Sequence, residues 1–194
     1  MKCSIVDIHT HRPTGKALEP SFAGIHPWQA ETRRIEEIVP RFGEVDLVGE
    51  IGLDYAGTVG REAQLRIFRE QLDWAERLGK PVVLHCVKAF EAVMRELAPH
   101  ALRAVIFHGF IGSSQQAAEA IKKGYYLSFG ERTFRSPRTV EALRRTPVEN
   151  LFAETDESDV PIEEIYRRIA QAKDLDPELL KCAIYLNYRE IFER

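Results

Sequence analysis

The sequence predicts an α/β fold: a reduced or distorted (β/α) barrel with about seven parallel strands. Three observations predict it. Short apolar runs alternate with amphipathic stretches from one end of the chain to the other, the pattern of strands and helices taking turns around a mostly parallel sheet. Histidines and carboxylates recur where those apolar runs end, and that edge is where parallel α/β folds build their sites. At 194 residues the chain is shorter than the roughly 250 of a typical closed eight-stranded barrel. One domain, 1–194, is expected, with no internal repeat, linker or low-complexity stretch.

The strands are expected at 3–9, 21–25, 45–51, 82–86, 103–108, 125–129 and 150–155. Each is short, rich in Val, Ile, Leu or Phe, and bounded by Gly, Pro or polar residues. The continuous run Pro81-Val82-Val83-Leu84 suits a strand covered on both faces. Between the strands, residues 61–78 carry Leu65, Phe68, Leu72, Ala75 and Leu78 three or four apart, which is one helical stripe. A helix over 88–98 turns Phe90, Val93, Met94 and Leu97 inward. Ser113-Ser114 caps a helix over 115–123 that Gly124 stops. Pro137 opens another to about 145, and helices over 161–173 and 177–193 each have a proline near the first turn.

Composition excludes several classes. With 44% hydrophobic residues, 29% charged residues and a net charge of −3, the chain is globular and carries no general polyanion-binding charge. Arg132, Arg135, Arg138, Arg144 and Arg145 read as a solvated helix face. The three cysteines, Cys3, Cys86 and Cys182, are odd in number and widely spaced. That argues against a disulfide framework and for a reducing, cytoplasmic location. No signal pattern opens the chain, and no apolar run reaches the roughly 20 residues of a membrane helix. No membrane partner is expected.

The chemistry lies at the strand ends. His9 and His11 follow the first strand, His26 the second, Glu50 the third, His85 the fourth, His108 the fifth, and Glu154-Thr155-Asp156 the last. In an extended segment Asp7, His9 and His11 share a face. Buried imidazoles and carboxylates together need partners or a metal, and such donors suit Zn, Mn, Fe or Ni. His9, His11, Glu50, His85, His108 and Asp156 are too many for one tetrahedral ion and suit two ions sharing a carboxylate. Cys86 should point away from them by strand alternation, as core.

These residues resemble the TatD-related metal-dependent hydrolases, within the amidohydrolase-like, TIM-barrel-like group. The resembling stretches are Asp7-Ile8-His9-Thr10-His11, Gly24-Ile25-His26-Pro27-Trp28, Gly49-Glu50-Ile51-Gly52-Leu53-Asp54, Leu84-His85-Cys86, His108-Gly109-Phe110-Ile111-Gly112-Ser113 and Glu154-Thr155-Asp156. They come in the family's order and span nearly the whole chain. The resemblance implies a binuclear site of two divalent ions (Zn, Mg or Mn). His9, His11, Glu50 and Asp156 would hold one, Glu50, His85 and His108 the other, with Glu50 bridging. Asp156 and Glu50 are the implied catalytic residues, Asp156 as general base for the attacking water. Asp7 would stand behind the histidines and orient a ring. His26, Lys88 and Tyr55 are candidates to touch substrate, and Trp28 and Phe110 are further aromatics expected at the mouth.

The implied activity is a metal-dependent phosphodiesterase, a deoxyribonuclease working from the 3′ end of DNA. A metal-dependent amide or ester hydrolase of the deacylase type uses the same ligand chemistry, and a silent metal-binding paralogue is the non-enzymatic alternative. The chain departs from the family pattern at the mouth. Only twelve residues separate His11 from Gly24, where the family fits another strand and helices. The segment after Asp156 is short, and Cys86-Val87-Lys88 replaces a Ser-Arg-Asp-like run. A barrel shortened in this way is expected to close poorly or to pair with a second copy as a homodimer.

Overall fold

The computed structural model describes residues 2–193. The chain divides into two compact units. One is Ser21–Phe107; the other takes in the chain up to Pro20 and from His108 onward.

In the first unit, strands β1 (Phe22–Ala23), β2 (Leu47–Asp54), β3 (Val82–Val87) and β4 (Val105–Phe107) pair side by side, all parallel. Helix α1 (Val39–Phe42), unforeseen in the sequence, precedes β2. Helices α2 (Arg61–Arg77) and α3 (Phe90–Leu97) follow β2 and β3. The buried face of α2 is Gln64, Ile67, Phe68, Gln71, Leu72 and Ala75. It is rotated from the expected stripe: Leu65 is only half-buried and Leu78 is exposed. Two glutamines take part because the side-chain amide of each bonds a backbone N–H and C=O of a site-bearing segment. The Gln71 amide accepts from Ile25 N (2.6 Å) and donates to Ile25 O (3.1 Å). The Gln64 amide does the same at Asp54 N (2.7 Å) and Asp54 O (2.9 Å). Both therefore hold chain that carries polar site residues.

All eight residues of β2 are buried. The strand does not end at Glu50, as its polarity suggested. It continues to Asp54, pairing Gly52 with His85 and Asp54 with Val87, and its register shifts between Val48 and Ile51. Glycine permits this. A Cβ on Gly49 would lie 2.1 Å from Val83 Cγ1, and one on Gly52 (φ +140°) would lie 2.0 Å from the His85 carbonyl.

The second unit holds α4 (Ser114–Lys122), β5 (Tyr126–Phe129), α5 (Pro137–Arg145), β6 (Leu151–Ala153), α6 (Ile162–Lys173) and α7 (Pro177–Phe192). β5 and β6 are parallel neighbours, with Leu127 opposite Leu151 and Phe129 opposite Ala153. The expected caps are present: Ser113 and Gln116 form a capping box on α4, and Pro137 and Pro177 open α5 and α7.

The strand expected at 3–9 is not a ladder strand. Its segment bends at Ile8 and His9 and makes isolated parallel bridges, Val6 with Leu18 and Thr10 with Asp156. It still runs beside β6, through Ile8 N to Ala153 O (3.1 Å) and Asp156 N to His9 O (2.9 Å). The short connection after His11 turns back on itself. Glu19 accepts from Thr14 N, Thr14 Oγ1 and Gly15 N, and Asp7 N donates to Leu18 O. Among the described residues six ladder strands form, and this bridged segment stands where the seventh was expected.

Two contacts clamp the segment. The buried Tyr166 hydroxyl accepts from Val6 N (3.1 Å) and donates to Val6 O (2.9 Å). Cys3 is disulfide-bonded to Cys182 of α7, with Cα atoms 5.1 Å apart. The expectation of unpaired cysteines is thus overturned, and the argument for a reducing compartment loses its basis. A sequence separation of 179 gave no signal, because only folding brings the first residues against α7. Cys86 is the free thiol and is half-buried rather than a full core residue; desolvation pushes it up to about 12. Among the described residues no helix is long and apolar enough to cross a membrane.

Candidate metal centre

In the second unit, the bridged N-terminal segment and the chain leaving β6 bring polar side chains together. His9 is fully buried and His11 partly exposed. Their Nε2 atoms lie 3.9 and 3.7 Å from Asp156 Oδ1. These spacings exceed a hydrogen bond. They lie a few tenths of an ångström above the roughly 3.3–3.6 Å that separates ligands held at about 2.0–2.2 Å in tetrahedral array around one ion. Backbone bonds fix the relation, since His11 N donates to Asp156 O (3.0 Å) as Asp156 N does to His9 O. Asp156 itself takes a positive φ of 55°, a conformation uncommon outside glycine.

His108 follows β4 in the chain, and its ring centroid is 4.4 Å from that of His9. Its Nδ1 lies 3.1 Å from Glu154 Oε1. Glu154 is buried, which by itself would raise its pKa, but His108 and His9 beside it hold the carboxyl below its ordinary value. His108, Glu154 and Asp156 form a second set of donors, all within 4.8 Å of one another, as do His9, His11 and Asp156.

Asp7 does not orient a histidine. Its carboxylate accepts from Thr155 N (2.9 Å) and Thr155 Oγ1 (2.6 Å). The bends at Ile8 and His9 break the period-two alternation that would have put Asp7 beside the rings. Burial raises its pKa to about 7 against the pull of the Thr155 hydrogen bonds.

In the first unit, His26, Glu50 and His85 form a set of the same kind. His85 Nδ1 lies 2.6 Å and His26 Nε2 3.3 Å from Glu50 Oε1. His26 Nδ1 accepts from Trp28 N (3.2 Å), so in the neutral ring Nε2 carries the proton. His85 Nε2 lies 3.2 Å from Asp54 Oδ2. Asp54 also accepts from Trp28 Nε1 (2.7 Å) and Ala56 N (2.9 Å). Burial alone would raise the Asp54 pKa, but these bonds and His85 lower it.

The donor chemistry fits a divalent metal: neutral imidazoles with carboxylates, and a further carboxylate gripping a ligand ring from behind. Asp54 has that place behind His85, a role expected instead of Asp7 behind His9 and His11. The places of Glu154 and Asp54 in these donor groups were missed from the sequence. The signal existed for both. Glu154 is two residues from Asp156, and Asp54 four from Glu50, so each shares a strand face with a named residue. Of the expected substrate contacts, Lys88 is exposed just past β3, and Tyr55 is half-buried beneath the Arg61 guanidinium at 4.4 Å. Phe110, expected to be exposed, is buried against Phe129.

The model of the TatD-related DNase family matches residues 16–193. The chain belongs to this family. A protein of Encephalitozoon cuniculi named putative deoxyribonuclease TATDN1 homologue is 35% identical over 141 residues, covering 70% of this chain and 50% of that protein. The metal-dependent hydrolase YjjV of Escherichia coli K12 is 33% identical over 157 residues, covering 74% of this chain and 61% of that protein. The 3′-5′ ssDNA/RNA exonuclease TatD of Citrobacter rodentium is 30% identical over 202 residues, covering 89% and 76%. The first two show that this TatD-family chain spans between half and two thirds of relatives it matches. The crystal structure of YjjV superposes with a TM-score of 0.82 and 25% identity over 91% of this chain and 77% of that one. The α/β, TIM-barrel-like fold class follows from that likeness.

Proposed function

We propose that this chain is a divalent-metal-dependent phosphodiesterase that shortens DNA from its 3′ end, with residues 1–194 acting as one catalytic domain. The observation that carries the reading is the donor spacing: His9 and His11 each within 4 Å of Asp156 Oδ1 yet beyond hydrogen-bond distance. The name of the Citrobacter relative, a 3′-5′ ssDNA/RNA exonuclease, supports the substrate class.

Two ions are proposed, one seated on His9, His11 and Asp156 and one on Glu50 and His85. Such an ion supplies Lewis acidity and a water of lowered pKa. The chain's own residues do the rest. Asp156 accepts the proton of the attacking water. Glu50 holds His85 and His26 in place through its Oε1. Asp54 fixes the His85 ring. His26, Lys88 and Tyr55 are proposed to meet the substrate, Lys88 as a point charge for phosphate.

The test is an assay on metal-stripped protein with Mg, Mn or Zn restored, following 5′-labelled single-stranded DNA. A metal-dependent ladder of 3′-shortened products that is absent in Asp156→Asn is expected. Metal binding without cleavage under any ion would discard the nuclease reading and favour amide or ester substrates.

A further inference from the structure

Trp28 is the outlier among the aromatic side chains. It is 62% exposed, yet its indole N–H is committed to the buried Asp54 carboxylate at 2.7 Å. Its ring meets the His26 ring edge-on at 4.4 Å and lies 5.9 Å from that of His85. A large apolar ring in water ordinarily costs free energy for no return. Here it is also held in one orientation, because its polar edge is tied down and only two torsions had to be fixed. Asp54 is itself locked by Ala56 N and, through its backbone, by the Gln64 amide. The result is a rigid, solvent-facing aromatic platform attached to the His26–Glu50–His85 donors. Of the other aromatic candidates, Phe110 is buried and Tyr55 is half-buried beneath Arg61.

The geometry points to Trp28 as the stacking platform for a nucleobase of the substrate strand, a specificity-determining residue beside the metal donors. This rests on the nuclease reading for its choice of ligand. Stacking of a base on an aromatic ring is tolerant of sequence, since every base has a π-face. The role therefore predicts recognition of nucleic acid in general rather than of a motif.

Two measurements test it. The chain has two tryptophans, so Trp74→Phe leaves Trp28 as the fluorophore. With EDTA present to prevent turnover, an oligothymidylate should quench Trp28 saturably, and an abasic chain of equal length should not. In steady state, Trp28→Ala should raise KM for a thymidine-ended oligonucleotide by about tenfold, within the roughly five- to 150-fold range of lost base stacking. It should leave KM unchanged for an abasic 3′ end. Trp28→Phe keeps a ring but loses the N–H to Asp54 and should stay within about threefold of wild type. Equal quenching by both oligonucleotides, equal losses on both substrates, or a Phe variant as impaired as Ala would each overturn the inference. Quenching without hydrolysis would sink the nuclease reading and leave the platform standing; hydrolysis without quenching would do the reverse.

Discussion

Thr155→Val removes one hydroxyl and keeps the side-chain volume, so it leaves no cavity. In the structure that hydroxyl donates to Asp7 Oδ2 at 2.6 Å and sits 2.9 Å from Thr10 Oγ1, while Asp7 is only 3% exposed. A hydrogen bond to a charged partner contributes about 1.5–3 kcal/mol, and a buried acceptor left without its donor costs about as much. The expected loss is about 2 kcal/mol at pH 8, where Asp7, titrating near pH 7, is ionised. At pH 5 the carboxyl is protonated and the loss should fall to about 1 kcal/mol, the value of a neutral hydrogen bond. Urea unfolding of the metal-free protein at both pH values measures this; the melting temperature at pH 8 should drop by roughly 4–8 °C. The same bond ties the chain just before Asp156 to the segment bearing His9 and His11. Metal affinity should therefore weaken about tenfold, as for other supports behind a ligand shell. A change under about 0.5 kcal/mol, ordinary for a surface position, or a larger loss at pH 5 than at pH 8, would refute the reasoning.

Asp7→Asn should change the pH profile of the metal-free protein. Its folded pKa of about 7 lies above the ordinary 3.8, so the wild type has its full stability below about pH 4 and loses it as pH rises to 7. At about 1.4 kcal/mol per pH unit the difference between wild type and variant should shift by up to roughly 4 kcal/mol across that window. Parallel profiles would remove Asp7 as the cause. Gly52→Ala would force a Cβ to 2.0 Å from the His85 carbonyl at φ +140°; it should cost roughly 3 kcal/mol or more, whereas Gly43→Ala, with nothing within 4 Å, should stay within about 0.5 kcal/mol in thermal unfolding. Cys3→Ser should destabilise by roughly 3–5 kcal/mol, because it opens a loop of 179 residues. Thiol titration of the denatured, unreduced wild type should find one free group, Cys86; three would mean that the bridge does not form.

Much of the scaffold was legible. The helix expected over 137–145 is α5, Pro137–Arg145, and the one over 61–78 is α2, Arg61–Arg77. The first has a proline and a serine cap at its start, and the second an apolar periodicity along its length. Reading failed where a non-local partner decides. The polarity of Glu50 looked like a strand end, yet β2 runs on to Asp54, because glycines at 49 and 52 let β3 come close. The first segment looked like a strand from its apolar residues. It bends instead, under Tyr166, Leu18 and the Cys182 bridge, and so carries Asp7 to Thr155.

The sequence by itself determined the α/β class, the longer helices, the family and the kinds of donor atom available. All of these follow from local periodicity, from capping residues and from the order of short motifs along the chain. The resemblance already grouped His9 and His11 with Asp156, and Glu50 with His85; only the tertiary structure put His108 against Glu154 and His26 beside Glu50 and His85. It also decided that Asp54 holds both His85 and an exposed Trp28. Periodicity can say which way a side chain leaves its own segment; which atom waits there depends on residues far away in the chain.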